Sequence, residues 1–136
     1  MNFDLVEVVA AFIVKDRKLY VAKRGKNSID ANKWELPGGK LKEGEKYDEA
    51  LKRECMEELG INVNVIEELG SVEVESNSYV LGMTFFLSEC DISKIQLKEH
   101  IDSGFYTYNE FINLELCYSD KVFGQQYKDK ILKYID

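Results

Sequence analysis

The chain is sparing with several residue types, and each scarcity removes a class of protein. Histidine occurs once, at His100, so an all-histidine metal centre is excluded and oxygen ligands are the available kind. Cys55, Cys90 and Cys117 lie far apart with no CxxC, and no secretory signal pattern is present. The expectation is a protein without disulfides in a reducing cytoplasm. No apolar run approaches the roughly 20 residues that span a bilayer, so no membrane partner is expected. Basic residues are in deficit, with 18 Lys and Arg against 25 Asp and Glu and a net charge of -7. That balance argues against a broad grip on a nucleic-acid polymer. It permits a nucleotide substrate, because a metal can offset the phosphate charge. Proline is also nearly absent, with Pro37 the single case, directly before Gly38 and Gly39.

What is present is the content of one ordinary globular domain, residues 1–136. Residues 3–14 are rich in Val, Ile and Phe and predict a strand buried on both faces in its second half. A polar turn at Asp16-Arg17 leads into a second strand over 18–23, with Arg24 at its end. Trp34-Glu35-Leu36 is a short extended piece before the glycine turn Gly38-Gly39. A helix is predicted over 46–59, stopped by Gly60. Tyr47, Ala50, Leu51, Cys55 (or Glu54), Met56 and Leu59 supply its apolar spacing. Strands over 61–75 and 79–89 form a second hairpin through the turn Ser76-Asn77-Ser78, with Gly82 a candidate bulge. Residues 91–104 are polar and irregular, and a short strand covers 104–108. Asn109 is a candidate cap for a brief helix through Ile112. Ser119 is a candidate cap for a final helix from Asp120 to Ile135. This order predicts an α+β fold, a mixed sheet with helices packed against it.

The chemistry is concentrated after the glycines. Glu54, Glu57 and Glu58 stand at i, i+3 and i+4 and so share one helix face. Three carboxylates on one face repel one another, which leaves two readings: a solvated acidic face, or a cation seated on it. A hard divalent ion such as Mg²⁺ takes oxygen ligands and commonly bridges one or two carboxylates to substrate phosphates. A carbonyl of the Gly38-Gly39 turn would add one ligand.

The full run reads Gly39, five residues, Glu45, seven residues, Arg53-Glu54-Cys55, one residue, Glu57-Glu58, one residue, Gly60-Ile61. It resembles the Nudix box at every fixed position, with Cys55 where a bulkier aliphatic is usual. The lead-in from Ala31 to Gly39 resembles the MutT-like branch. The resemblance implies an α/β/α sandwich with a mixed central sheet, a catalytic box helix and a C-terminal helix. It also implies hydrolysis of a nucleoside diphosphate linkage with Mg²⁺ or Mn²⁺. By that resemblance Glu57 and Glu58 bind metal, Glu54 binds metal or acts as base, and the Gly38 carbonyl completes the coordination. Arg53 orients a box glutamate, and Glu45 holds the loop-to-helix geometry. Glu99, on a loop that moves in the family, joins the catalytic and metal site. Arg24 matches an arginine that contacts phosphate, and Lys40 is a further substrate-binding candidate.

The box specifies the bond, and the substrate is decided elsewhere. The proline expected past the box in ADP-ribose hydrolases is absent. Tyr79 lies near a tyrosine of diadenosine polyphosphate hydrolases. Asp120 corresponds to a base-reading position in MutT-like enzymes, and its plain alternative is an acid favoured by a helix N-terminus. Trp34, Phe85 and Tyr106 read as core residues before they read as base-stacking ones. The expectation is a cytoplasmic enzyme, monomer or homodimer, that cleaves a nucleoside triphosphate to monophosphate and pyrophosphate. Nucleotide-pool sanitation, with oxidised guanine or cytosine nucleotides as substrates, would follow from the family. The alternatives are a dinucleoside polyphosphate or nucleotide-sugar hydrolase, a non-catalytic nucleotide sensor, and an acidic interaction domain.

Overall fold

The computed structural model describes residues 4–76 and 78–136. Its organising element is strand β1, Asp4–Lys15, in which residues 8 to 13 are all buried. Successive side chains of a strand point to opposite faces. Val8, Ala10 and Phe12 enter one core with Phe85, Phe111, Phe123, Ile131 and Ile135. Val9, Ala11 and Ile13 enter a second core with Ala50, Leu51, Cys55 and Leu59. A sheet apolar on both faces must be covered on both, and this produces the expected sandwich.

β1 runs parallel to β6 (Tyr79–Glu89), and β6 is antiparallel to β5 (Asn64–Glu75). On its other side β1 pairs with β2 (Lys18–Lys23) and with β4 (Gly38–Lys40). β2 also carries β3 (Trp34–Glu35) and β7 (Asp102–Tyr106). The β1–β2 turn holds Asp16 and Arg17 at φ 51° and 58°, the paired positive values of a tight hairpin turn. Helix α1 (Tyr47–Leu59) covers one face. In its first turn Glu49 accepts from the Lys46 N–H, and Gly60 ends the helix in the left-handed conformation. Helices α2 (Tyr108–Ile112), α3 (Tyr118–Gln126) and α4 (Lys128–Ile131) cover the other. No described helix is long and apolar enough to cross a membrane.

Several local expectations are corrected. Gly38 and Gly39 lie in a strand, paired with Ala10 and Val9, where β1 leaves no room for a side chain on Gly38 and Glu54 leaves none on Gly39. A Cβ on Gly38 would come within 1.9 Å of the Val9 carbonyl oxygen. Gly82 pairs regularly with Glu73, and the irregularities lie across from it in β5, around Ile66 and Leu69. Thr107, not Asn109, caps α2, closing a capping box with Glu110. Cys117 precedes α3, with no side-chain cap from Ser119. The final helix is broken at Tyr127, whose hydroxyl donates to the Ser71 carbonyl and accepts from the Ser71 N–H. That docking covers the β5 edge beside Gly70 and interrupts the helix. Tyr47 and Met56 are exposed rather than part of the core. Phe3 and Asn77, which belong to two of the predicted elements, fall outside the described residues.

Phe123 seals the α3 face, stacked on Phe85 at 3.7 Å and edge-on to Phe12 at 6.2 Å. Phe123→Ala should lower stability by roughly 3–5 kcal/mol, since the stacked neighbours cannot collapse into the space. Urea unfolding measures this, and a loss below about 1 kcal/mol would show that this face is not the core it is drawn to be.

Candidate active site

The helix register brings Glu54, Glu57 and Glu58 to one side of α1, but their surroundings differ. Arg53 sets the arrangement. Its Nε and Nη2 donate to both oxygens of Glu45, at 2.7 and 2.9 Å. Its Nη1 donates to Glu54 at 2.9 Å and Glu57 at 3.2 Å, and Nη2 reaches the Lys40 carbonyl at 2.9 Å. One guanidinium thus ties the approach loop to two acids of the helix, a fork geometry that lysine cannot supply. Glu45 also accepts from the Lys42 N–H. These bonds, Arg53 first, hold its carboxyl down at about 2.

Glu54 lies over Gly39. A Cβ there would come within 2.3 Å of the Glu54 carboxyl carbon, so the glycine leaves space for the acid. Burial pushes the Glu54 carboxyl above its usual range against the pull of Arg53. Glu58 is buried, and its Oε2 accepts from the Gly38 N–H at 3.1 Å. Burial, and then the charge of Glu35, push its carboxyl up to about 9, with Glu54 and Glu99 adding to the rise. Glu57 is the most exposed of the three, with about half its side chain open.

Glu99 comes from the segment between β6 and β7. That segment is tied to the end of α1: Gln96 N–H donates to the Leu59 carbonyl and Lys98 N–H to the Glu58 carbonyl. These are the carbonyls a helix end leaves without partners. Satisfying them carries Glu99 to the helix face, where it lines a cavity of about 80 Å³ with Arg24, Glu35, Glu58 and His100.

Glu35 and His100 are functional candidates that the sequence did not mark. Arg24 Nη1 donates to both Glu35 oxygens, at 3.0 and 3.2 Å, and His100 Nε2 lies 2.9 Å from Glu35 Oε2. Cys117 Sγ is 3.9 Å from Glu35 Oε1. Glu35 sits one residue inside the extended piece before Pro37, and that position was its only sequence signal.

Two of the earlier candidates stand apart. Lys40 is exposed and lines a different groove with Glu7 and Glu45, so its side chain is not in the cavity. Asp120 is fully buried. Its Oδ1 accepts from the Leu36 N–H at 2.9 Å, while Oδ2 has no partner among the described residues. Burial, and then Glu35, push its carboxyl well above the usual range. Phe85 is core, Trp34 packs edge-on against Tyr106, and Tyr79 opens β6 opposite Asp4.

The residues fit a divalent cation. Glu35, Glu54, Glu57, Glu58 and Glu99 gather around two guanidiniums, which leaves an excess of negative charge in a partly buried volume. One ligand atom each of Glu35, Glu58 and His100 lie within 4.8 Å of one another, as do those of Glu35, Cys117 and Asp120. The donors are mainly carboxylate oxygens, the kind hard cations take.

A family model described as the NUDIX domain matches residues 4–121. Among curated proteins the chain is 40% identical over 77 residues to the CTP pyrophosphohydrolase of Escherichia coli K12, covering 57% of each. It is 41% identical over 56 residues to the 8-oxo-dGTP diphosphatase of Buchnera aphidicola subsp. Schizaphis graminum, covering 41% of the chain and 43% of that protein. The chain thus spans about half the length of these curated relatives. The solution structure of the E. coli ORF135 protein superposes with TM-score 0.81 at 28% identity, over 93% of this chain and 91% of that one.

Without added metal, ionising Glu58 opposes folding. Its folded value near 9 lies above the unfolded carboxylate range, so the native state holds a proton that the unfolded chain has released. Stability therefore falls as pH rises from about 4.5 towards 9. Glu58→Gln, which keeps an acceptor for Gly38, should be more stable than wild type at pH 8 by at least about 1.4 kcal/mol, the value of one pKa unit. The advantage should vanish below about pH 4.5. Chemical denaturation at both pH values in a chelator checks this, and an equal gap at both would remove the ionisation argument.

Proposed function

The chain belongs to the NUDIX family and is MutT-like, and from that membership we propose that it hydrolyses a nucleoside triphosphate to the monophosphate and pyrophosphate with Mg²⁺ or Mn²⁺. One observation carries the reading: the box acids, Glu99 and Arg24 converge although they come from distant parts of the chain. A solvated acidic face needs neither the buried Glu58 nor an arginine facing it. The names of the two curated relatives support triphosphate hydrolysis, and one of them places cytosine among the bases to test first.

In this reading Glu54, Glu57, Glu58 and Glu99, with the Gly38 carbonyl, hold the cation. A cation held by these groups would supply Lewis-acid polarisation of a phosphoryl oxygen and a more acidic water for attack on phosphorus. Arg53 keeps Glu54 and Glu57 in place and leaves Glu54 Oε2 to take a proton or a ligand position. Arg24 balances the charge that builds on the leaving oxygens. Its guanidinium already faces the cavity through Glu35 and needs only to share its donors with a phosphate. Asp120 bears on the base from beneath the Leu36 backbone, so reading a base through it requires that wall to open.

Mg²⁺-supported release of pyrophosphate from a panel of canonical and oxidised triphosphates tests the proposal. Glu57→Gln should lower kcat/KM by 100-fold or more, about 2.7 kcal/mol of transition-state stabilisation. Equal turnover in the variant, or none from any triphosphate with the wild type, would sink the assignment.

A further inference from the structure

We infer that Glu35, Glu58 and His100 form a second cation position, deeper than the helix face and with an imidazole nitrogen among its donors. It would take a borderline first-row ion such as Zn²⁺ or Co²⁺. The inference builds on reading the acidic cluster as a cation site and is independent of which bond the protein cuts.

Geometry comes first. One ligand atom from each of the three residues lies within 4.8 Å of the other two. His100 Nε2 and Glu35 Oε2 are 2.9 Å apart. Two donors at roughly 2.0–2.2 Å from one zinc, set at right angles or slightly wider, are themselves about 3.0–3.5 Å apart. The pair is therefore already close to chelating separation.

Burial and position agree with this. Glu58 is 5% exposed and His100 8%, so these two donors sit below the surface. The adjoining cavity of about 80 Å³ has room for an ion and one or two waters, each near 30 Å³. The backbone on either side of His100 is anchored, by Lys98 N–H on the Glu58 carbonyl and Ile101 N–H on the Lys23 carbonyl, while the ring itself is bonded, among the described residues, only through Nε2 to Glu35.

Charge and donor type then select the ion. Glu35 has Arg24 as its cationic neighbour, but Glu54, Glu58 and Glu99 crowd the same volume. A divalent ion is the compact way to neutralise them. Mg²⁺ favours an all-oxygen shell with several waters, whereas an imidazole donor favours Zn²⁺ and its neighbours. The acids Glu54, Glu57 and Glu99 offer the first kind of shell and the His100 pocket the second, with Glu58 shared between the two positions.

The chain has one histidine, so its ring can be read without assignment. In the ion-free protein, hydrogen bonding to Glu35 favours the Nε2–H tautomer. An ion on Nε2 displaces that proton and leaves the ring proton on Nδ1. Full-length protein labelled with ¹⁵N-histidine should be titrated with Zn²⁺ while long-range ¹H–¹⁵N spectra follow both ring nitrogens. The expected result is a move of the proton from Nε2 to Nδ1 that saturates at one equivalent. Glu35→Gln should raise the half-saturating Zn²⁺ at least tenfold. Should that variant misfold, the wild-type titration decides alone. Zn²⁺ binding by calorimetry with an unmoved ring would overturn the inference, as would no binding at millimolar Zn²⁺. A new thiolate band from Co²⁺ with an unmoved ring would put the ion on a cysteine instead and also overturn it. A shifted ring in a protein that releases no pyrophosphate would retain the site and reject the proposed function.

Discussion

Crowding of like charge is the constraint on which the rest of the site depends. Five carboxylates meet where α1, the segment before β7 and the piece before Pro37 come together. Two guanidiniums are bonded to different members of the group, Arg24 to Glu35 and Arg53 to Glu54 and Glu57. Coulomb repulsion in a partly buried volume is several times stronger than in water. The fold holds the arrangement by neutralising its edges and leaving its centre charged or protonated. Arg53 neutralises the outer edge through Glu45, Glu54 and Glu57. Arg24 neutralises the inner edge through Glu35. Between them Glu58 has only a backbone N–H donor and resolves the conflict by holding its proton. A cation placed there would reverse that preference, since it favours the charged form that burial disfavours.

How much of this was legible in the sequence depends on the range over which each contact acts. Contacts within one helix or hairpin were legible: the shared face of Glu54, Glu57 and Glu58, the stop at Gly60, and the reversal at Asp16-Arg17. The two-sided burial of β1 was legible as well, because six consecutive buried positions read as an unbroken apolar run. The glycine pair was read as a turn because its flexibility was visible and its neighbour was not. Only the approach of Val9 and Ala10 shows that Gly38 is small to fit a strand beside β1. The break at Tyr127 was hidden for the same reason, since the apolar stripe runs through it and only the docking on Ser71 interrupts the helix.

The site divides along the same line. Arg53 and the box acids lie within nine residues of one another or close a loop of eight, so fixed spacing reported them. Glu35 and His100 are 65 residues apart and meet only after β3 and β7 have both paired with β2. A lone histidine in a polar stretch carries no periodicity and no motif. Glu99 was reached by family resemblance. The structure adds the reason for its place: the carbonyls at the end of α1 need donors, and the backbone on either side of residue 97 supplies them.

Glu35 changes how the two halves of the site relate. It belongs both to the group with Glu58 and His100 and to the group with Cys117 and Asp120. The first faces the cavity where phosphates would sit. The second lies under the Leu36 backbone, where Asp120 accepts the Leu36 N–H. Arg24 is bonded to this shared acid, so any ligand that draws the guanidinium away leaves Glu35 with less positive charge. Asp120, whose carboxyl Glu35 already holds up, would then feel that charge more strongly. The Arg24 end and the Asp120 end of this cluster are therefore not electrostatically independent. They share one carboxylate, and the state of either end sets the cost of charging the other.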